Sequence, residues 1–211
     1  MSAKEPLKDR DIREPLFLFL EEEYGKVRFI EEKTMGRSRA DVLMVTADAL
    51  CGIEIKSDAD TYQRLASQVK DYDRFCDRNY VAVGSSHAMH IEEHVPPHWG
   101  IITIDETDGA ADFYILRPPA ENPHCNDALK IRLLWRRELN HLLEINGLPA
   151  YRWESKPFVE KKLIEKVPSE LLRQQICAEL FERDYNTIEE EIQTYRKEHR
   201  RPRKRRRKVL K

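Results

Sequence analysis

DVLMVTADALCGIEIK, residues 41–56, is the stretch on which the reading of this chain turns. Asp41–Thr46 and Cys51–Lys56 are two apolar-rich runs of strand length, and the four residues Ala47–Leu50 between them suit a hairpin connection. Gly52 inside the second run marks a bulge or a close backbone approach. In a strand, Glu54 and Lys56 are two apart and share a face, while Ile53 and Ile55 take the other. A carboxylate and an ammonium on one face of an apolar strand are costly unless they have partners or work. Counted inward from the loop, an antiparallel hairpin sets Thr46 opposite Cys51 and Asp41 opposite Lys56, to within one residue. Two carboxylates and a lysine then converge at one edge of a sheet. The spacing Glu-x-Lys alone says little, because Glu31/Lys33, Glu154/Lys156 and Glu160/Lys162 share it in a chain with 36% charged residues.

Outward from that hairpin, helices and strands alternate. Asp11–Tyr24 reads as a helix with Leu16, Phe17 and Leu20 on one stripe and Gly25 as its stop. Val27–Ile30, Tyr80–Val83, Gly100–Ile104 and Asp112–Leu116 read as strands. Thr61–Cys76 reads as a helix, with Asp58 or Asp60 as its cap. Such alternation indicates an α/β fold with a mixed sheet flanked by helices. Arg117–Asn126 carries three of the eleven prolines and reads as a linker. Beyond it the pattern is helical, through Ile131–Leu143, Phe158–Lys166 and Ser169–Arg183, with Glu189–Lys197 as a charged helical extension. The expected organisation is an α/β domain over 1–117, a helical region over 127–199 and a basic tail, disordered without a partner, over 200–211.

Composition narrows the function. Seven glycines in 211 residues, with no GxxxxGK[ST] and no GxGxxG, argue against a phosphate-cradling loop. The polar first fourteen residues lack an apolar signal core, and Leu16–Leu20 is far too short to cross a bilayer. The four cysteines are widely spaced and read as free thiols in a reducing cytoplasm. A cytoplasmic protein with no membrane partner is expected. The net charge of −1 conceals an asymmetry: residues 196–211 hold eleven Lys or Arg and one Glu, leaving 26 basic and 37 acidic residues in the rest. A basic tail on an acidic body, with Arg203, Lys204, Arg205, Arg206 and Arg207 in one run, suits a polyanionic partner through counterion release.

Asp41, Glu54 and Lys56 suit metal-dependent phosphodiester hydrolysis. A hard divalent cation, Mg2+ or alternatively Mn2+, offsets transition-state charge, and magnesium prefers one or two carboxylates with water and substrate oxygens. Asp41 and Glu54 supply the carboxylates, the Ile55 carbonyl adds a ligand, and Lys56 orients or deprotonates the attacking water. On the following helix Arg64, Gln68 and Tyr72 fall on one stripe. Arg64 is placed to touch a phosphate, Gln68 to orient a water or Lys56, and Tyr72 to stack or hydrogen-bond. The competing reading of that stripe is a polar edge beside a core stripe.

The order Asp41, then Glu54-Ile55-Lys56, then Gln68-x-x-x-Tyr72 resembles the PD-(D/E)xK phosphodiesterase superfamily of restriction-endonuclease-like folds, and its RecB-type branch in particular. Arg39/Asp41, Glu54 to Ser57, Asp60/Arg64/Leu65/Gln68/Tyr72 and Pro97/Trp99/Gly100 are similar to a pattern in a family of small bacterial proteins within that superfamily. The likeness continues through Leu134-Trp135 and Glu138-Leu139. Ala40 stands where the superfamily usually has proline. The resemblance implies DNA as substrate, with Arg39 on the substrate side, and an additional upstream acid, for which Glu32 is the candidate and Glu31 the alternative. The function expected is metal-dependent DNA cleavage in repair, restriction or mobile-element defence. The alternative is a catalytically silent nucleic-acid-binding or assembly subunit that keeps the fold. A homodimer or a partner protein stays open, and so does the role of the helical region.

Other features have blander readings. His87, His90, His94 and His98 crowd twelve residues, yet no cysteine or well-placed carboxylate completes a zinc site. Trp99 and Trp135 read as core residues.

Overall fold

The structure is a computed structural model and describes residues 9–57, 60–84, 88–107 and 110–183. The chain divides into two compact units, Met1–Phe181 and Glu182–Lys211. The first carries the architecture below. The charged extension, residues 189–197, and the basic tail with Arg203 to Arg207 lie outside the described residues.

Six strands form one mixed sheet in simple chain order: β1 Arg28–Met35, β2 Ser38–Val45, β3 Leu50–Lys56, β4 Arg78–Gly84, β5 Gly100–Thr107 and β6 Ala110–Arg117. Neighbours pair antiparallel except β3–β4 and β4–β5, which run parallel. Parallel neighbours need a crossover, and α2 (Leu65–Phe75) supplies the one between β3 and β4. The mixed sheet flanked by helices is the fold class the sequence indicates.

The two faces of β3 are sorted as its alternation predicts. Ile53 and Ile55 join Val42, Met44, Tyr80, Ala82 and Ile102 under α1 (Asp9–Tyr24), whose Ile12, Leu16 and Leu20 complete that layer. The opposite face of the sheet packs Leu43, Val45, Leu50, Val81 and Val83 against Leu65, Val69, Tyr72 and Phe75 of α2. That core continues without a break into the later helices, α3 (Asp127–Lys130), α4 (Arg136–Ile145), α5 (Lys156–Lys166) and α6 (Ser169–Phe181). Leu139, Leu142, Leu163, Leu172 and Ile176 are all buried in it.

The proline-rich segment after β6 is fastened down rather than loose. Asn122 is buried, its side-chain amide donates to Asp73 O and Cys76 O at 2.7 Å each, and its N–H donates to Asp77 O. Asn126 N–H donates to Arg74 O. Prolines break helices and strands, which makes a linker reading natural, but they do not prevent the segment from bonding to its neighbours.

The register of the decisive hairpin differs from the count made on sequence. The turn is Thr46–Ala49, closed by Thr46 N to Ala49 O at 2.9 Å and by the Thr46 hydroxyl, which binds Asp48 and accepts from Ala49 N. Val45 pairs with Leu50 and Val42 with Ile53. The loop therefore lies one residue earlier than expected, which moves the partner by two, so Asp41 comes beside Glu54 rather than Lys56. The cause is the Thr/Asp turn chemistry, which draws Thr46 out of the strand.

Candidate functional site

The site lies where β2 and β3 part. Their ladder ends at Val42–Ile53, although β2 begins at Ser38 and β3 runs on to Lys56. Beyond that point β2 stays on β1 and β3 stays on β4. The Asp41 carboxylate fills the split, its Oδ2 accepting from Ile55 N–H at 2.9 Å. A cavity of about 420 Å³ opens there, with Asp41, Glu54, Ile55, Lys56, Arg64 and Gln68 in its wall.

The split coincides with a kink in β1. Glu31 pairs with Val42 and Lys33 with Ala40, but Glu32 between them has φ of +52°. That is left-handed backbone, unfavourable for a glutamate and held only by its surroundings. Arg13 of α1 is the brace: it donates to Glu31 Oε2 at 3.1 Å, to Glu32 Oε1 at 2.5 Å and to Asp41 O at 3.3 Å. Glu32 also pairs with Arg39 at 2.6 Å. Glu32, expected as a further metal ligand, is thus committed to two arginines and is not in the cavity wall. Strand parity could not reveal this, because the left-handed residue breaks the alternation. Glu31 likewise faces Arg13.

Glu54 is the centre of the constellation and is fully buried. Its Oε1 accepts from Lys56 Nζ at 2.5 Å and from the Gln68 amide, and its Oε2 from the Tyr72 hydroxyl at 2.9 Å. Burial, then the nearby Asp41 charge, pushes its pKa up to about 7; Lys56 and Tyr72 pull the other way without cancelling the rise. Two carboxylates in one pocket, with the Asp41 charge raising the cost of ionising Glu54, create a place for positive charge. Gln68 Oε1 is buried with no hydrogen-bond partner, a further unsatisfied oxygen at the same wall. This donor set is compatible with a hard cation, with two carboxylates and remaining positions for water. Among the described residues no group of three or more His, Cys, Asp or Glu converges.

Tyr72 departs from its expected role at the substrate. It has no solvent exposure, and its ring packs 5.6 Å from that of Trp99. Its hydroxyl accepts from Asp41 N–H at 3.1 Å and shares its one proton between Ile53 O and Glu54 Oε2. Burial raises its pKa well above the usual tyrosine value, which keeps that proton in place. Tyr72 is therefore a positioning residue that ties both acidic residues together. Gly52 makes room for it: a Cβ there would lie 2.3 Å from the Tyr72 ring and 2.7 Å from Asn79 Oδ1. Gly52→Ala should cost about 1–3 kcal/mol by overpacking and loosen the Glu54 hydrogen bond, read as a lower urea midpoint. An unchanged midpoint would show that Tyr72 can move aside.

Arg39 and Arg64 lie in the cavity wall, and the Arg39 side chain is 69% exposed. Asp60 accepts from Ser57 N–H at 2.9 Å and from its hydroxyl at 2.7 Å, so it folds a turn after β3 rather than capping α2. The histidines scatter: His94 stacks on Tyr62, His98 binds Asp73, and His90 lies near Glu93. His87 is outside the described residues. Trp99 is buried, donating to Asp73 Oδ1 at 2.7 Å. Sequence reasoning missed Arg13, which acts from a helix eighteen to twenty-eight residues away with no motif to mark it, and Arg37, Ser38 and Ser67, which lie in the wall as ordinary polar residues.

All four cysteines are free. No described helix is long and apolar enough to cross a membrane.

No curated protein matches the sequence. Among solved structures, the chain is similar to Pyrococcus furiosus SfsA in complex with Ca2+, at 12% identity and a TM-score of 0.31. The match covers 50% of this chain and 59% of that one, a likeness too slight to carry an argument. A family model matches residues 3–207, nearly the whole sequence. By that match the chain belongs to the bacteriophage P4 protein cII family.

Proposed function

We propose that this protein is a metal-dependent phosphodiesterase that cleaves DNA, with Asp41, Glu54 and Lys56 as its reactive set. One observation supports the reading: a buried Glu54–Lys56 ion pair lines the same cavity as Asp41, at the split between β2 and β3. A pair that served only the fold would gain nothing from a second carboxylate beside it, which adds repulsion. Asp41 and Glu54 would hold Mg2+, or Mn2+ in its place, with the Ile55 carbonyl as a third donor. When bound, the cation offsets negative charge on the scissile phosphate. Lys56 donates to the phosphate or holds the proton taken from the attacking water. Gln68 fixes the Glu54 carboxylate, and Tyr72 holds Glu54 and the Asp41 backbone at constant separation. Arg39 and Arg64, on the open side, meet flanking phosphates. The basic run at Arg203 to Arg207 adds sequence-independent affinity.

The test is cleavage of single-stranded, double-stranded and branched DNA by the full chain with magnesium or manganese. Failure on every substrate under both ions, with DNA binding retained, would replace this reading with a silent binding subunit.

Metal binding should also release a proton. Glu54 holds its proton up to about pH 7 in the folded chain, so a cation binding below that pH must displace it. Titration calorimetry in buffers of different ionisation enthalpy should show close to one proton released at pH 6 and little at pH 8. The release should vanish in Glu54→Gln. The same raised value means that Glu54 favours the metal-free fold at low pH and loses that contribution as pH rises through about 7. Equal release at both pH values would remove Glu54 from the cation site.

A further inference from the structure

We propose that a DNA strand leaving the cavity continues along α2 in a second, adjoining groove, where Arg37, Lys70 and Arg74 hold its phosphates. This rests on the phosphodiesterase reading and extends it to a binding track. A second cavity, of about 660 Å³, lies beside the first, and Arg37 and Ser67 belong to both walls. Its remaining cationic and polar lining includes Lys70, Arg74 and His124. Arg64, Ser67, Lys70 and Arg74 follow one another at three- and four-residue intervals, so they form a stripe that starts in the reactive cavity and ends in the second. From Ser67 to Arg74 the helix rises about 10 Å.

Of the cations along this stripe, Arg74 makes a 4.0 Å ion pair with Asp71 and its side chain stays 55% exposed. Arg37, Ser67 and Lys70 are exposed, and among the described residues no carboxylate pairs with Arg37, Arg64 or Lys70. Two aspartates also line the groove, but both are turned to structural use. Asp73 Oδ1 accepts from Asn79, His98 and Trp99 at 3.0, 3.0 and 2.7 Å. Asp71 accepts from Arg37 N–H at 3.0 Å. That bond pins the β1–β2 turn onto α2, where Gly36 at φ of +61° leaves no room for a side chain: a Cβ would lie 2.5 Å from Asp71 Oδ1. The turn therefore sets Arg37 at the border of the two cavities. An acidic peptide would meet the same cations, so polyglutamate is the control that separates it from DNA.

The experiment measures binding of fluorescein-labelled single-stranded DNA of 4 and 16 nucleotides to the full chain in EDTA, over a range of salt. It compares wild type with Lys70→Ala/Arg74→Ala and with Arg37→Ala. The double variant should bind the 16-mer at least tenfold more weakly, with a salt slope lower by about 1.4, the value for two single-strand phosphate contacts. It should lose less affinity for the 4-mer, which engages fewer phosphates. Arg37→Ala should weaken both. Wild-type affinity and slope for the 16-mer in the double variant would overturn the groove, and so would an equal loss of binding to polyglutamate. A protein that cleaves no DNA but shows the length-dependent loss keeps the groove and loses the phosphodiesterase reading. One that cleaves DNA without that loss keeps the reading and loses the groove.

Discussion

Asp41→Asn and Lys56→Ala, each made in the full chain, should abolish magnesium-dependent DNA cleavage while the protein stays folded. The asparagine retains an oxygen to accept from Ile55 N–H, the 2.9 Å bond that closes the split between β2 and β3, so the local backbone has reason to persist. What it loses is the negative charge, and with it half of the carboxylate pair proposed to hold the cation. Glu54 would then titrate lower, because the second largest cause of its raised pKa is gone. Lys56→Ala acts in the opposite sense: Glu54 loses its cationic partner and is held protonated to still higher pH. Its hydrogen bonds from Gln68 and Tyr72 remain, so the pocket keeps its shape. Loss of a positioned proton-transfer group costs about 10²–10⁴ in rate, and loss of a metal carboxylate at least as much. Circular dichroism and thermal melts establish that the variants fold; single-turnover cleavage measures the loss. More than a tenth of wild-type activity surviving in both variants would remove these residues from the reaction.

Lys130→Met should destabilise the fold by about 3–5 kcal/mol, the cost of removing one partner from a buried ion pair. Lys130 has no solvent exposure and pairs with Asp77 Oδ2, the oxygen that also accepts from Leu50 N–H at 2.7 Å. Burial disfavours the lysine charge, but Cys177 and Asp77 outweigh it and its pKa is raised, so the ammonium stays charged. Asp77 follows α2, Leu50 opens β3, Lys130 lies in α3 and Cys177 in α6, so one charge pair joins the sheet to the helical region. Methionine fills the space without the charge and leaves the carboxylate uncompensated in a partly buried position. Urea unfolding should show the midpoint falling. Adding Asp77→Asn, which keeps an acceptor for Leu50 N–H, should recover part of the loss. A change below about 1 kcal/mol would mean that Asp77 finds water or another donor.

The sequence by itself determined the α/β class, the strands that matter and the face each residue of β3 takes. Strand alternation is a local property, and Glu54 and Lys56 fall on the α2 side, away from the isoleucines, because side chains two apart cannot do otherwise. The placement of Asp41 near them was legible because a four-residue loop leaves few ways to return. Its neighbour across the hairpin was not, since the Thr46 hydroxyl and Asp48 drew the turn one residue earlier. Tertiary structure alone decided the rest. Tyr72 sits on a helical stripe that reads equally as surface or core; only the sheet beneath, with Gly52 open to its ring, buries it as a brace. Glu32 matched the expected spacing for a ligand, but a left-handed backbone and Arg13 from a distant helix turned it aside. The split between β2 and β3 that makes the cavity is a relation among α1, the kinked β1 and the end of a ladder, and no spacing along the chain encodes a relation of that kind.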